Sequence, residues 1–514
     1  MKTQAEGSLT IFSALSLLLI LSFLLALLEG ARVSGLKTMD TLAAETGMDS
    51  VASEYQAALW DKYHLLYLDG AYGSEDFNRD KVTSHVMEHI TANLPEEGEM
   101  NMFRTRLGNA SLVEYTLATD NDGTGILHQA AAYMKEHLPE DIAGKMYQQY
   151  QEGKKTEKNG KTEYSVEDAD TAIQNAKKER EEAENAGQSE GADGQETGEA
   201  VTEPETADQG GDNKEETEEV SPLQLVLSLK QNAILGMTVS DTDALSDRAI
   251  TLQETVSERQ CETGISDNKN KDKLNWFDRV MVLEYIEAHF SDYAEPGKGD
   301  LAYETEYILF GKDTDKKNLE ATVERILLMR EAANVTHIIA DKEKLNQALV
   351  TATALAGFSG NPAVVKIVQI GVVAAWAYVE SILDLRTLLS GGKIALIKNG
   401  TEWTADLKNL GEFVGNEWKA KECKEGLSYQ TYMKQMLFAM QERKMAYRMM
   451  DIMELTIEKE QNSQNARMDH MIDTMVCELQ FESEPLFARG KLYGGTVSGT
   501  YMFLKRQTMS YSNE

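Results

Sequence analysis

The residues whose types and spacing come closest to chemistry are His85 and His89, in the run His85-Val86-Met87-Glu88-His89. This is the H-x-x-E-H pattern of the inverted zinc metalloproteases. On a helix the two imidazoles would share one face as zinc ligands, with the glutamate between them. The pattern is short, and an ordinary helix carrying surface histidines satisfies it. No further protease-like stretch supplies a third ligand. The expectation is therefore a chain without metal or cofactor that is not an enzyme. The alternative is a membrane-tethered, zinc-dependent hydrolase using His85, Glu88 and His89.

Other patterns fail at a decisive position. Asp120-Asn121-Asp122-Gly123-Thr124-Gly125 begins like a calcium loop, but position twelve, where a bidentate glutamate belongs, is Ala131. It reads as a turn that starts the following helix. Gly357-Phe358-Ser359-Gly360-Asn361 misses the spacing of a nucleophile elbow, and no phosphate-binding glycine loop is present. Glu304 and Glu306 would share one face of a strand, as paired carboxylates do in glycosidases. With no sugar platform beside them, alternating solvated charge is the expectation. Cys261, Cys423 and Cys477 are scattered and odd in number, which argues against a disulfide framework or a zinc cage.

The balance of charge removes further classes. A net charge of −34 repels nucleic acid phosphates and anionic membrane surfaces. A 42% hydrophobic share over 514 residues nevertheless supports a sizeable core and about two or three domains.

The clearest element is Leu9–Leu28, LTIFSALSLLLILSFLLALL, twenty residues with no charge, proline or glycine. Thr10, Ser13, Ser16 and Ser22 are its only polar side chains, and in a helix their hydroxyls bond back to carbonyls one turn earlier, as lipid demands. At about 1.5 Å per residue the stretch covers a hydrocarbon core of about 30 Å. It is longer than the apolar run of a cleaved signal, and Glu29-Gly30-Ala31-Arg32 is a poor small-residue exit. A retained anchor is the expectation. Ser13, Ala14, Ser16 and Ala26 are its candidate close-packing positions against other apolar helices.

The leader MKTQAEG, then Gly7-Ser8, then the long apolar helix, resembles a type IV pilin-like precursor. More closely, GSLTIFSALSLLLILSFLLALLEGAR, LAYETEYILFGK (Leu301–Lys312), AAWAYVESILDLRTLLSGGK (Ala374–Lys393) and YRMMDIME (Tyr447–Glu454) are similar to an uncharacterised Firmicute family encoded beside Tad/Flp pilus genes, related in layout to the TadE and TadG pseudopilins. The resemblance implies cleavage between Gly7 and Ser8 by a prepilin peptidase on the cytoplasmic side. Pilins carry a glutamate five residues after the cut, where this chain has Phe12. That departure points to an anchor or minor assembly component rather than a major pilin. The partners implied are membrane lipid, other Tad/Flp pilus or envelope proteins, and the prepilin peptidase. The location implied is the cell membrane, single-pass, with a cytoplasmic N-terminus and an extracellular ectodomain.

Periodicity predicts the elements that would hold these residues. The membrane helix continues as an amphipathic stalk to about Leu68, with Val33, Leu36, Met39, Leu42, Met48 and Val51 at helical steps. Helices are expected at 78–93, 125–151 with a break at Pro139, 274–290, 318–333, 341–357, 363–389 after Pro362, and 429–459. The Met433, Met436, Met440, Met449 and Met453 stripe of the last is expected to be core. Strands are expected at 111–118, 301–310 and 393–397, with a terminal hairpin of 475–482 and 496–505. From Gly187 to Val220 twelve acids face the single Lys214, a composition too polar to order. The expected fold is mainly α with minor β (α+β). Its divisions are a leader (1–8), the transmembrane helix (9–28), a stalk and first α/β part (29–153), an acidic and largely disordered insertion (154–220), and a main α-rich ectodomain with short β hairpins (221–514).

Overall fold

The computed structural model describes residues 2–95, 101–138, 140–160, 164–188, 221–266, 273–415, 417–459, 465–487, 491–492, 495–496 and 499–512. In chain order the elements are α1 (Lys2–Ala52), α2 (Ala57–Tyr63), β1 (Leu68–Asp69), α3 (Arg79–Ala92), β2 (Thr105–Leu117), α4 (Thr124–His137), α5 (Glu140–Asn159), α6 (Val166–Gln188), α7 (Pro222–Leu229) and α8 (Ile234–Thr238). There follow α9 (Trp276–His289), α10 (Glu304–Phe310), α11 (Asp315–Ala340), α12 (Lys342–Ala356), α13 (Pro362–Leu389), α14 (Tyr429–Ala439), α15 (Glu442–Ile457), β3 (Met471–Ser483), β4 (Lys491–Leu492), β5 (Gly495–Thr496) and β6 (Tyr501–Ser510). The chain is mostly helical with a small sheet, as its periodicity predicts.

Two units make up the chain. The first comprises Met1–Ala143, Thr251–His289 and Met440–Glu514, and the second Gly144–Ile250 and Phe290–Ala439. This differs from the division by position along the chain, because the C-terminal strands β3 and β6 join the sheet that contains β1 and β2.

In the first unit β3 is the central strand. It pairs antiparallel with β2 from Thr105↔Ser483 to Leu117↔Ile472, and on its other edge with β6 from Thr474↔Ser510 to Ser483↔Tyr501. Met475, Cys477, Leu479 and Phe481 alternate inward and are fully buried, the period-2 signature of a half-buried strand. The expected terminal pairing is present; its first arm extends beyond 475–482 at both ends, whereas its second arm runs Tyr501–Ser510 where 496–505 was expected. The second half of α1 covers this face together with α3: Ala43, Ala44, Met48 and Val51 pack with Val82, Val86 and Ile90. Gly47 sets the closeness of that crossing, since a Cβ there would lie 2.8 Å from the Ile90 Cα. The stalk therefore ends at Ala52 and lies on the sheet instead of standing free. Asn78 caps α3 by accepting from the backbone N–H of Asp80 and Lys81, at 3.0 and 3.1 Å. After β2, Asn121 and Asp122 adopt left-handed φ of 52° and 60° to turn the chain into α4. The Asp120 carboxylate accepts from the Leu117 N–H at 2.7 Å, so the calcium-like stretch acts as the expected turn.

The second unit is built around α13. Asn361 caps it and Pro362 occupies its first turn, while α6, α7, α11 and α12 surround it. Its most apolar window has mean hydropathy 1.7 and is 56% buried, so it is a core helix long enough, but not exposed enough, to resemble a span. Val166, Ala169 and Ile173 of α6 are buried in the same cluster as α13's Val372 and Trp376. The insertion therefore contains core-forming structure in α6. Residues 189–220 lie outside those described.

Four expectations fail here. Residues 301–310 contain helix α10 and not a strand, and Glu304 and Glu306 are buried, 6% and 0% exposed, not solvated. Their carboxylates accept backbone N–H groups of Ser291 and Tyr293, both at 2.9 Å, which removes the need for water. Residues 393–397 form only an isolated bridge, Ile394↔Leu427. The expected 429–459 helix is two, α14 and α15, because Gln441 takes an extended conformation between them. Of the methionine stripe, Met433, Met449 and Met453 are core, at most 2% exposed, whereas Met436 and Met440 are partly exposed and Met440 lies between the two helices.

Candidate functional site

Two places in the first unit carry the side chains that matter. The first is the N-terminal half of α1 and its base. The apolar window within Leu9–Ala52 has mean hydropathy 2.8 and is 0% buried, so it could be a membrane anchor or a signal sequence. The Ser13 and Ser22 hydroxyls donate to the carbonyls of Leu9 and Leu19, at 2.9 and 2.8 Å. That internal pairing is what a hydrocarbon solvent requires. Ser13 and Ser16 lie one turn apart on one side of the helix, whereas Ala14 and Ala26 fall on other sides. The four do not form a single packing stripe. Gly7 and Ser8 belong to α1 by backbone, but their side chains lie outside those described.

Directly after the apolar run, the helix is fastened to the sheet. Arg32 and Glu29 are 4% and 5% exposed, and Arg32 Nη2 meets Glu29 Oε1 at 2.8 Å. The same guanidinium donates to the carbonyls of Phe103 at 3.0 Å and Glu484 at 2.7 Å, and to Ser483 Oγ at 3.3 Å. Glu29 in turn accepts from the Phe487 N–H at 2.9 Å. One helical turn thus closes the ends of β2 and β3, and α1 passes from its exposed to its packed half without a break. Sequence reading treated Glu29-Gly30-Ala31-Arg32 only as a poor cleavage site. The available signal was an opposite-charge pair at i, i+3 placed where an uncharged run ends. Replacing Arg32 by Ala strands the Glu29 carboxylate and frees several carbonyls. We expect a loss of about 2–3 kcal/mol and faster hydrogen exchange at Leu486 and Phe487. Unchanged exchange at those amides would refute the fastening.

The second place involves the histidines of α3. His85 and His89 do share a face, but the carboxylate between them is that of Glu54, from the turn after α1. Glu54 Oε1 lies 2.9 Å from His89 Nε2, and Glu54 Oε2 lies 3.2 Å from His85 Nδ1. Glu88 is exposed on α3. The Tyr72 hydroxyl donates to Glu54 Oε2 at 2.9 Å, and its ring stacks on His85 with centroids 3.9 Å apart. Burial works to raise the Glu54 carboxyl, but hydrogen bonds from His89, Tyr72 and His85 outweigh it and hold the group below its ordinary value. Proximity of Glu54 across 31 residues was invisible in the sequence. Cys261, Cys423 and Cys477 are free thiols, and burial pushes that of Cys477 up to about 12.

The profile of a family of unknown function, DUF5702, matches residues 212–483, more than half of the chain. No curated protein and no solved structure matches the chain.

Proposed function

We propose, for a chain that belongs to the family of unknown function DUF5702, that it is a membrane-anchored, surface-exposed, non-enzymatic component of Tad/Flp-type pilus assembly or anchoring, pseudopilin-like in layout. The observation that carries this reading is the continuity of α1. An uncharged stretch of which no residue is buried runs without interruption into a half packed on an antiparallel sheet. Lateral packing of the exposed half in lipid would then transmit position and orientation to the first unit through Glu29 and Arg32. The resemblance of the N-terminus to pilin-like precursors supports a cytoplasmic leader removed between Gly7 and Ser8. The size of the acidic remainder supports an extracellular ectodomain. Its partners would be membrane lipid and other pilus or envelope proteins.

The test is made on full-length protein expressed in a Gram-positive host. The protein is expected in the membrane fraction, accessible to protease from outside, with a mature N-terminus at Ser8 that depends on the prepilin peptidase. Leu19→Arg with Ile20→Arg should add about 2.5–3.5 kcal/mol per arginine to insertion and shift the chain out of the membrane fraction. Recovery of the unaltered chain as freely soluble cytosolic protein would remove the anchoring reading. An intact leader in the presence of the peptidase would remove the pilin-like one.

A further inference from the structure

We propose that Glu54, His85 and His89 form a divalent-metal site suited to Zn2+, which ties the end of α1 to α3. Among the described residues these are the three side chains whose ligand atoms converge, all within 4.8 Å of one another. Tetrahedral zinc with ligand bonds of about 2.0–2.2 Å separates its donors by about 3.3 Å. Glu54 Oε1 lies 2.9 Å from His89 Nε2 and 3.3 Å from His85 Nδ1, both close to that value, so small rotamer changes admit the ion.

The donors are also held in place. The histidines stand at i and i+4 on one helix, which fixes their spacing. Glu54 is set by its N–H bond to the Val51 carbonyl at 3.0 Å, and the following Gln56 N–H bonds the Tyr67 carbonyl at 2.8 Å. Tyr72 holds the second carboxylate oxygen, the outer contact that orients a metal-binding carboxylate. Two imidazoles and one carboxylate suit Zn2+, whereas Ca2+ and Mg2+ favour all-oxygen sets. Side-chain exposures of 36%, 31% and 29% for His85, His89 and Glu54 leave an access path and room for a water ligand. Because each facing imidazole nitrogen must present its lone pair, binding requires the tautomers opposite to those that donate to Glu54 in the metal-free cluster. Acid, which protonates imidazole, would oppose it. The role is a clamp at the far end of the packed half of α1 and does not depend on the anchoring reading.

The full-length protein in detergent micelles, stripped by chelator, is titrated with ZnCl2 by calorimetry. One equivalent is expected, with affinity reduced at least ~100-fold in His85→Ala or His89→Ala and about 10-fold in Tyr72→Phe, and unchanged in Glu88→Gln. Since the histidine variants also perturb α3, Co2+ is added to the unaltered chain as a second readout. Intense visible bands of a low-coordinate nitrogen–oxygen site are expected. Absence of saturable one-equivalent binding, a Co2+ spectrum like that of the aqueous ion, or undiminished zinc binding in the double histidine variant would each overturn the proposal.

Discussion

Arg330→Met is expected to destabilise the second unit by about 3–5 kcal/mol, because it breaks a buried and charge-balanced network. Arg330 and Asp384 are both 0% exposed, with Arg330 Nε 2.9 Å from Asp384 Oδ2. The guanidinium also donates to the carbonyls of Ala395 and Leu396, each at 3.0 Å, and to the Tyr432 hydroxyl at 2.9 Å. Lys398 bonds both Asp384 and Glu380, so two cations face two carboxylates. Burial alone would raise the Asp384 carboxyl, but Arg330 and Lys398 outweigh it and hold the group below its ordinary value. Without Arg330, Lys398 must serve two carboxylates, one of which then keeps a proton. The variant's deficit should therefore shrink in acid, where that proton is free of cost, and grow as pH rises. Lysine is no substitute, since a point charge cannot reach the same carbonyls with a fixed fork of donors. The measurement is urea unfolding of the full-length protein followed by tryptophan fluorescence, with Trp403 reporting from beside Lys398. A loss below about 1 kcal/mol for Arg330→Met would show that the network is not holding this unit together.

What the sequence made legible follows the range of each interaction. Helix α13 announced itself because its signals are local: Pro362 at the start and a long apolar stretch after it. Helix α3 was readable over 78–93 for the same reason, though the cap that Asn78 supplies shows only in the structure. The apolar half of α1 needed only its own composition. The failures involve distant partners. The stretch Tyr303-Glu304-Thr305-Glu306-Tyr307 alternates like a strand, yet its acids are caps for the loop at Ser291–Tyr293, thirteen residues earlier. The solvated-charge reading failed because backbone amides replaced the water. Strand β3 lengthened from the expected 475–482 because β2 pairs along it from across the chain. The same limit hid half of each candidate site. His85 and His89 are visible as a pair, but Glu54 reaches them only because Gly47 lets α1 lie close against α3. Arg32 and Glu29 are visible as a charged pair, but their purpose lies 451 residues away at Ser483.

Glu306→Gln is expected to make the second unit less sensitive to alkaline pH, by a margin that grows across a defined window. Burial pushes the Glu306 carboxyl up from 4.5 to about 8; the Tyr429 hydrogen bond offsets only part of this, and Asp292 adds a smaller repulsion. Geometry explains why the neutral acid suits the site. Oε1 accepts from the Tyr429 hydroxyl at 2.7 Å and the Tyr293 N–H at 2.9 Å, while Oε2 is buried with no hydrogen-bond partner among the described residues. A second full negative charge on that pair of oxygens has nothing further to stabilise it. The folded pKa thus lies above the unfolded value, and the folded chain holds a proton that the unfolded chain has released. The stability this group contributes is complete below pH 4.5 and is lost as pH rises to about 8. At about 1.4 kcal/mol per pH unit the loss is on the order of 5 kcal/mol. Glutamine keeps the accepting oxygen, places an uncharged amide where the acidic proton sat, and cannot ionise. Glu331, which burial raises to about 7, and Asp292, also raised by burial, titrate in the same unit and remain in both proteins. The informative quantity is therefore the difference between variant and unaltered chain, taken from urea unfolding at a series of pH values between about 5 and 9. That difference should rise through the window in favour of the variant and level off above about pH 8. A difference independent of pH would mean that Glu306 is already ionised in the folded protein, and that its two donors suffice to hold a carboxylate in the core.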